Sequence, residues 1–470
     1  MCVTMCACGL VWCTCALLAT LLASFGLIMV PGIEQAASRL VFTHLSGKSL
    51  TIAGNVITAR HFTYCLGDYL GCVKDEAARD MVNSFTWETG IGEFVPSSPS
   101  QLMNGDGVLP LHFSHAAYRD VAYDLLAGRP PDMFVFSNKT SLPAGVMPDF
   151  EPDILLNLDT GSEEHANRRK LIAEMLPALA KVRSSGDEHF RVPTGVEASA
   201  AAISGAAMGG LKRKVFDTVG YNLFDWLFEV NVENELAELF EYDGTLAPIV
   251  LGIPAMSFQG RRMAEIRMKI FYKVTRSRVG KAFMRAADDR GMDGEKRLSE
   301  MVWIAMFAGY GGSSNLAFET IKRILTDPGK YTVLFRSDPK AFMLEAARLH
   351  PPVGGMNPMA YRKETYHKLA TGKTIKVEAG QIGIIFSSAA NKDPQVFRDP
   401  YNFVPGRENA ERLLSWNNEW GDFSRCSTVA GCPEAPRGCP GTFLSMRLVT
   451  ATVDFFVGGI EGGLPLKQEL

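Results

Sequence analysis

Hydrophobic and polar positions divide this chain into a long apolar start, a stretch of weak period, and a series of helical segments that fills the rest. Met1 to Val30 carries no charged residue. Leu10 to Val30 is apolar and long enough to cross a bilayer as a helix, for which about 20 residues suffice. Glu34, Arg39 and Lys48 are the first charges after it, so the positive-inside bias puts the large remainder of the chain on the cytoplasmic side. A cleaved signal peptide is the competing reading, but the stretch has no basic start and Pro31 stops it.

Farther along, Asp75–Phe85 and Ala116–Leu126 have helical spacing. Asn138-Lys139-Thr140 fits a glycosylation sequon, which is silent if this part faces the cytosol. Asp159 to His165 reads as a helix start, capped by an Asp or Thr with acidic residues in the first turn. Glu295 to Leu325 is the longest helical pattern. Its middle, Met301 to Phe307, is apolar all round and so predicts a buried central helix. A helix carrying Glu345 and Arg348 ends at His350-Pro351-Pro352. Tyr361-Arg362, Thr374–Val377 and Ile382–Phe386 read as strands, and Leu444 to Phe456 as a last helix. The pattern predicts a mainly α protein with a small β region.

Length changes this picture little. A chain of 470 residues suggests two or three domains, yet no Pro/Gly/Ser-rich linker or charge block divides it. The expected organisation is an anchor at residues 1–32 and one domain at 33–470. The net charge of −3 with no basic patch argues against nucleic acid as a partner. Of the ten cysteines, Cys2, Cys6, Cys8, Cys13 and Cys15 crowd the start, and Cys65, Cys72, Cys426, Cys432 and Cys439 are scattered. That is no disulfide framework, and it predicts a reducing compartment.

The chemistry concentrates in Arg437-Gly438-Cys439-Pro440-Gly441. A cysteine thiolate can hold haem iron and push electron density onto it. Gly438 and Gly441 let backbone approach a flat macrocycle. Arg437 suits a haem carboxylate. An inert buried thiol is the commonplace alternative. A zinc site from Cys426, Cys432 and Cys439 is another, although its spacings miss the usual knuckle.

Other candidates fit the first reading. His165 and Arg169 share a helix face and together can grip one carboxylate; the plain alternative for Arg168-Arg169-Lys170 is a solvated basic patch. Gly309, Gly311 and Gly312 each cost a buried helix about 1 kcal/mol relative to alanine. A flat ligand against the helix explains that cost, and so does a kink or tight crossing. Glu345 and Arg348 form either a weak surface pair or a buried lock.

Taken in order, these pieces resemble the cytochrome P450 superfamily from about residue 155 to 457. The carriers are the glycine-bearing helix, Glu345-x-x-Arg348, Phe403-x-Pro405-x-Arg407 and Arg437-x-Cys439-x-Gly441. The resemblance implies a P450-like fold around a buried haem b, preceded by the transmembrane helix. It implies Cys439 as axial thiolate and metal ligand, with Gly441 beside it. His165, Arg169, Arg362 and Arg437 become candidates for the propionates, and Glu345, Arg348 and Arg407 a salt-bridge lock. Cys432 and Ala435 stand where the family usually has Phe and Gly.

The distal helix is more particular. Gly311 and Gly312 occupy the positions of the family's acid–Thr pair, so neither side chain relays a proton. Phe307-x-x-Tyr310-Gly311-Gly312 with Lys322-Arg323-Ile324, Asn391 to Phe397, and Ser415 to Asn418 resemble the allene oxide synthase and hydroperoxide lyase branch. Phe134-Val135-Phe136 is similar to its substrate loop. Ala308 stands where that branch has a catalytic Asn. The resemblance implies a lipophilic partner, a fatty-acid hydroperoxide, rearranged without a reductase. Phe307, Ala308, Tyr310, Gly311 and the Val353–Met359 segment are expected to line its pocket. An O2-dependent monooxygenase with a redox partner and a haem-binding protein without turnover are the alternatives. The expected location is the endoplasmic reticulum membrane, with the domain cytoplasmic.

Overall fold

A computed structural model gives the architecture. The structure describes residues 155, 158, 162–180, 190–193, 196, 208–241, 257–352, 391–392, 396–417 and 420–463, together with strands between residues 49 and 383. The expected anchor, Cys65, Cys72, the helices at Asp75–Phe85 and Ala116–Leu126, the sequon, Arg362 and residues 353–358 lie outside the described residues. Among those described, no helix is long and apolar enough to cross a membrane.

A single rod runs through the helical part. Helices are numbered in chain order: α1 (Glu163–Met175), α2 (Met208–Phe228), α3 (Glu233–Phe240), α4 (Ser257–Arg276), α5 (Arg278–Asp288) and α6 (Gly294–Ile304). Then come α7 (Gly311–Thr326), α8 (Pro328–Ser337), α9 (Pro339–Leu349), the short α10 (Trp420–Phe423) and α11 (Thr442–Gly463). A π-helical stretch, Ala305–Tyr310, joins α6 to α7 without a break, so the predicted central helix spans all three pieces. Its apolar middle is buried as expected, at Met301, Val302, Trp303, Ala305 and Met306. α7 packs against α11 on one side and α2 on the other.

Local chemistry sets where these helices start. The Asp293 carboxylate accepts from Lys296 N at 3.0 Å and caps α6. α8 and α9 each open on a proline at the first helical position, where its missing N–H costs nothing. Asp327 and Asp338 cap them. At α1 the cap is Ser162, whose hydroxyl accepts from His165 N at 3.2 Å. The expected Asp or Thr cap lies one turn too early for that bond. α4 and α5 meet at Ser277, and Gly280 allows the close turn. A Cβ there would sit 1.9 Å from the Val274 carbonyl oxygen.

The β region is small and set apart. Five short strands form one mixed sheet in the order β3 (Pro96–Ser97), β4 (Leu111–His112), β9 (Ile382–Gly383), β6 (Met359–Tyr361), β5 (Met133–Val135). The β4–β9 pair is parallel and the others antiparallel. Two further antiparallel pairs are β1 (Ser49–Ile52) with β2 (Asn55–Thr58), and β7 (Thr365–Lys368) with β8 (Thr374–Val377). The predicted strands at Thr374–Val377 and Ile382 are present, and Phe134-Val135 pairs with Met359-Ala360.

Candidate active site

The cysteine loop is wound from successive turns. Cys432 N, Ala435 N and Gly438 N donate to the carbonyls of Val429, Cys432 and Ala435 in turn. Cys439 N then donates to the Trp416 carbonyl at 2.8 Å, and Thr442 N to the Cys439 carbonyl at 3.1 Å, where α11 begins. Gly438 is required by packing. A Cβ there would lie 2.8 Å from Val429 Cγ1. Trp416 holds a left-handed backbone (φ 65°), a conformation costing a bulky residue about 1–2 kcal/mol, and it presents the carbonyl that fixes Cys439.

Burial pushes the Cys439 thiol pKa up, while the Gly441 N–H and the Arg169 charge pull against that rise. Both of the latter favour the thiolate. Cys426 and Cys432, by contrast, form a disulfide at 2.04 Å. This corrects the expectation of scattered thiols, and with it the argument for a reducing compartment: two cysteines six residues apart meet because the loop doubles back. It also removes the zinc alternative, since paired sulfurs are not thiolate ligands.

A cationic cluster faces the loop from α1. His165, Arg168 and Arg169 are all buried, so the solvated-patch reading fails; only Lys170 is exposed. Burial first, then Arg437, Arg169 and Arg168, lower the His165 pKa to about 3. Arg168 is neutralised by Glu300 of α6 and by Glu164. Arg437 donates to the Leu158 carbonyl. The Arg169 guanidinium donates to the carbonyls of Ala430 (3.1 Å), Gly438 (2.9 Å) and Val429 (2.5 Å), with a longer contact to Ala435. His165 and Arg169 stand on the one face of α1 that looks at the loop, as their spacing predicts.

The rod presents a face of minimal side chains. Ala308, Gly311, Gly312 and Asn315 follow helical spacing along one side. Among the described residues, a Cβ at Gly311 would meet no atom within 4 Å, so open space lies over it. Asn315 Nδ2 donates back to the Gly311 carbonyl at 2.9 Å. Phe307 stacks on Trp303 with ring centroids 5.1 Å apart. Tyr310 does not line this space. Its ring is fully buried against α2, edge-on to Phe216 at 5.5 Å, in room left by Gly220. Ser313 turns toward α11, with its hydroxyl 3.1 Å from that of Ser445.

The lock is built as expected. Glu345 and Arg348 are fully buried, joined at 2.8 and 2.9 Å, and Arg407 reaches the same carboxylate at 3.2 Å. Arg348 also donates to the carbonyls of Asn391, Pro400 and Asn402. Asn391 Oδ1 accepts from Leu414 N at 2.7 Å, and Ser415 Oγ donates to the Ala347 carbonyl. The lock thus connects to the turn whose Trp416 carbonyl holds Cys439.

Two features had a faint sequence signal. Glu300 is the last charge before the apolar run from Met301, and it takes bonds from Arg168, Arg297 and Leu155 N. Cys426 and Cys432 were visible as residues but not as a pair.

These residues fit a haem. A cysteine held beside crowded cations suits a dianionic macrocycle, and the space over Gly311 suits a flat one. His165, Arg169 and Arg437 would meet its carboxylates.

No protein-family model matches the chain. A stretch of 126 residues is 28% identical to putative cytochrome P450 140 of Mycobacterium bovis and of Mycobacterium tuberculosis. That match covers 26% of this chain, which spans 27% of the length of these curated relatives. Among solved structures, the LnmA cytochrome P450 hydroxylase of Streptomyces atroolivaceus shares 17% identity and a TM-score of 0.50, over 77% of this chain and 86% of that one. P450BioI in complex with an acyl carrier protein ligated to hexadec-9Z-enoic acid shares 14% identity and a TM-score of 0.50, over 79% and 89%. A substrate-free cytochrome P450 of Mycobacterium marinum shares 14% identity and a TM-score of 0.50, over 82% and 87%. The solved structures give the chain a cytochrome P450 fold, and the cysteine loop with its facing cations fits a haem held by an axial cysteine thiolate.

Proposed function

We propose that this chain is a haem-thiolate enzyme that opens the O–O bond of a lipid hydroperoxide, a fatty-acid hydroperoxide by preference, and rearranges it without a reductase. The observation that carries this reading is the distal helix. Gly311 and Gly312 have no side chain to relay a proton, and the hydroxyl of Ser313 is engaged by Ser445. A hydroperoxide brings its own oxidant, so its isomerisation needs no outside electrons and no proton delivery to O2.

When bound, a haem with a thiolate ligand favours O–O cleavage. Cys439 supplies that thiolate, and the Gly441 N–H and Arg169 charge hold it. His165, Arg169, Arg362 and Arg437 would hold the carboxylates of the cofactor. Phe307, Ala308 and Gly311 give an apolar wall that keeps water from the reacting carbon chain. Residues 1–32 anchor the protein at the endoplasmic reticulum membrane with the domain cytoplasmic.

The second reading is an O2-dependent monooxygenase served by a redox partner. The description of LnmA as a hydroxylase favours it. It requires an ordered water in place of side chains at Gly311 and Gly312.

The deciding experiment follows the conjugated-diene absorbance of a polyunsaturated fatty-acid hydroperoxide with haem-loaded protein, no reductase and no NADPH. Fast loss that disappears in Cys439→Ala supports rearrangement. Stable hydroperoxide with intact haem, and product only when reductase and NADPH are added, establishes the monooxygenase.

A further inference from the structure

Cys426 and Cys432 are joined across a sequence separation of 6, in the segment that leads to Cys439. Each sulfur stands at the head of its own route to that residue. From Cys432 the route is a string of turns. Ala435 N donates to the Cys432 carbonyl at 3.3 Å, Gly438 N to the Ala435 carbonyl at 3.0 Å, and Cys439 follows. From Cys426 the route runs through rings. Cys426 N donates to the Phe423 carbonyl at 3.2 Å, Phe423 packs on Trp420 with centroids 5.4 Å apart, and Trp420 on Trp416 at 5.8 Å. The Trp416 carbonyl then takes the Cys439 N–H. The disulfide therefore closes a circuit around the loop. The stabilisation a disulfide gives a whole chain grows with the loop it closes, and this loop is short, so opening it acts on the circuit more than on the fold.

The surroundings of the pair suit exchange. Cys432 is buried, whereas Cys426 is part-exposed and offers a sulfur to attack. The exposed Glu434 carboxylate lies 3.3 Å from both sulfurs. A disulfide has no S–H to give it, but two thiols do, so this carboxylate gains donors when the bond is open. Its charge also opposes an incoming thiolate and the thiolate that leaves, which slows the reaction.

We propose that the Cys426–Cys432 disulfide is a thiol–disulfide exchange site that controls how firmly the cysteine loop holds Cys439. The reactant is a dithiol. One of its thiolates attacks Cys426 Sγ, the S–S bond breaks, and the electron pair leaves on Cys432, which takes a proton. The second thiolate attacks the reductant's own sulfur in the mixed disulfide, and Cys426 leaves and takes a proton. Two electrons and two protons pass to the protein, and the reductant departs as a disulfide. A disulfide oxidant reverses the sequence. With the domain on the cytoplasmic side, as proposed above, dithiol reductants are at hand and lasting structural disulfides are rare. The effect on the haem rests on Cys439 being the axial ligand.

The test uses haem-loaded full-length protein as purified without reductant, opened with dithiothreitol and desalted, and re-formed with oxidised glutathione. Alkylation mapped by mass spectrometry reports the state of Cys426 and Cys432. The readouts are the fraction of the ferrous carbonyl complex absorbing as thiolate-ligated, against the blue-shifted thiol-ligated form, and the rate at which haem passes to apomyoglobin. Opening should remove a large part of the thiolate-type band and speed haem transfer several-fold, and re-formation should undo both. The double variant Cys426→Ser, Cys432→Ser should behave as the open form and ignore dithiothreitol, which sets aside the other cysteines; should it not fold, the mapped wild-type forms decide. Glu434→Gln should open faster at the same dithiothreitol concentration. An opened protein with band and transfer rate unchanged overturns the proposal, as does a pair that opens only once the protein is unfolded, or one found as two thiols from the start. A closed wild type with no thiolate-type band refutes the haem-thiolate reading itself, a separate failure.

Discussion

Glu345 is the residue whose loss should be felt most widely. Its carboxylate is fully buried and accepts from Arg348, Arg407 and the Val404 N–H, the last at 2.9 Å. Truncation to alanine leaves two guanidiniums without their counter-ion. Breaking a buried pair in this way costs about 3–5 kcal/mol. The stranded Val404 N–H adds about 1–3 kcal/mol. Arg348 keeps three carbonyl partners, which spare its geometry but do not neutralise its charge. Against a typical total stability of about 5–15 kcal/mol, Glu345→Ala should barely fold. Glu345→Gln keeps one acceptor oxygen for Val404 and turns an amide N–H₂ on a guanidinium, so about 3–5 kcal/mol is expected.

Urea unfolding of Glu345→Gln, followed by far-UV circular dichroism and tryptophan fluorescence, measures this. Arg336→Ala is the control, since its partner Asp454 is part-exposed and a surface pair is worth at most about 1 kcal/mol. A loss below about 1 kcal/mol for Glu345→Gln, with the two probes coincident, would refute the lock. The bond path through Asn391, Leu414 and Trp416 adds a second expectation: the variant should lose the thiolate-type carbonyl band before it unfolds.

The same geometry gives four further outcomes. His165 refuses a proton until about pH 3, whereas its unfolded form takes one near 6.5, so stability is full above 6.5 and falls as pH drops toward 3. The contribution is at most about 5 kcal/mol; it should show as a steeper pH dependence of urea unfolding in wild type than in His165→Gln, and shrink once haem carboxylates are present. Gly311→Ala should be neutral or stabilising by about 0.5–1 kcal/mol in thermal unfolding, because its Cβ enters open space. Gly311→Phe should fill that space and slow hydroperoxide turnover with haem retained. Gly220→Ala should destabilise by about 1–3 kcal/mol, since its Cβ would fall 2.8 Å from Leu236 and the Tyr310 ring.

Much of this was legible in the sequence, for identifiable reasons. Apolar spacing from Glu295 to Leu325 determined a buried central helix, because burial on every face leaves no polar period. The order of Glu345, Arg348, Arg407 and Cys439 determined which residues gather around the proposed haem. Tertiary structure alone decided what depends on neighbours remote along the chain. The π stretch at Ala305–Tyr310 leaves no mark on an all-apolar run, yet it is part of the arrangement in which Tyr310 packs against α2. A basic triplet reads as a solvated face until Glu300 and the cysteine loop close over Arg168 and Arg169. The Cys426–Cys432 pair likewise needed the loop to turn back on itself. In the first two cases the deciding energy is the burial of a ring or a charge. Burial is a property of the packed molecule, not of the local sequence.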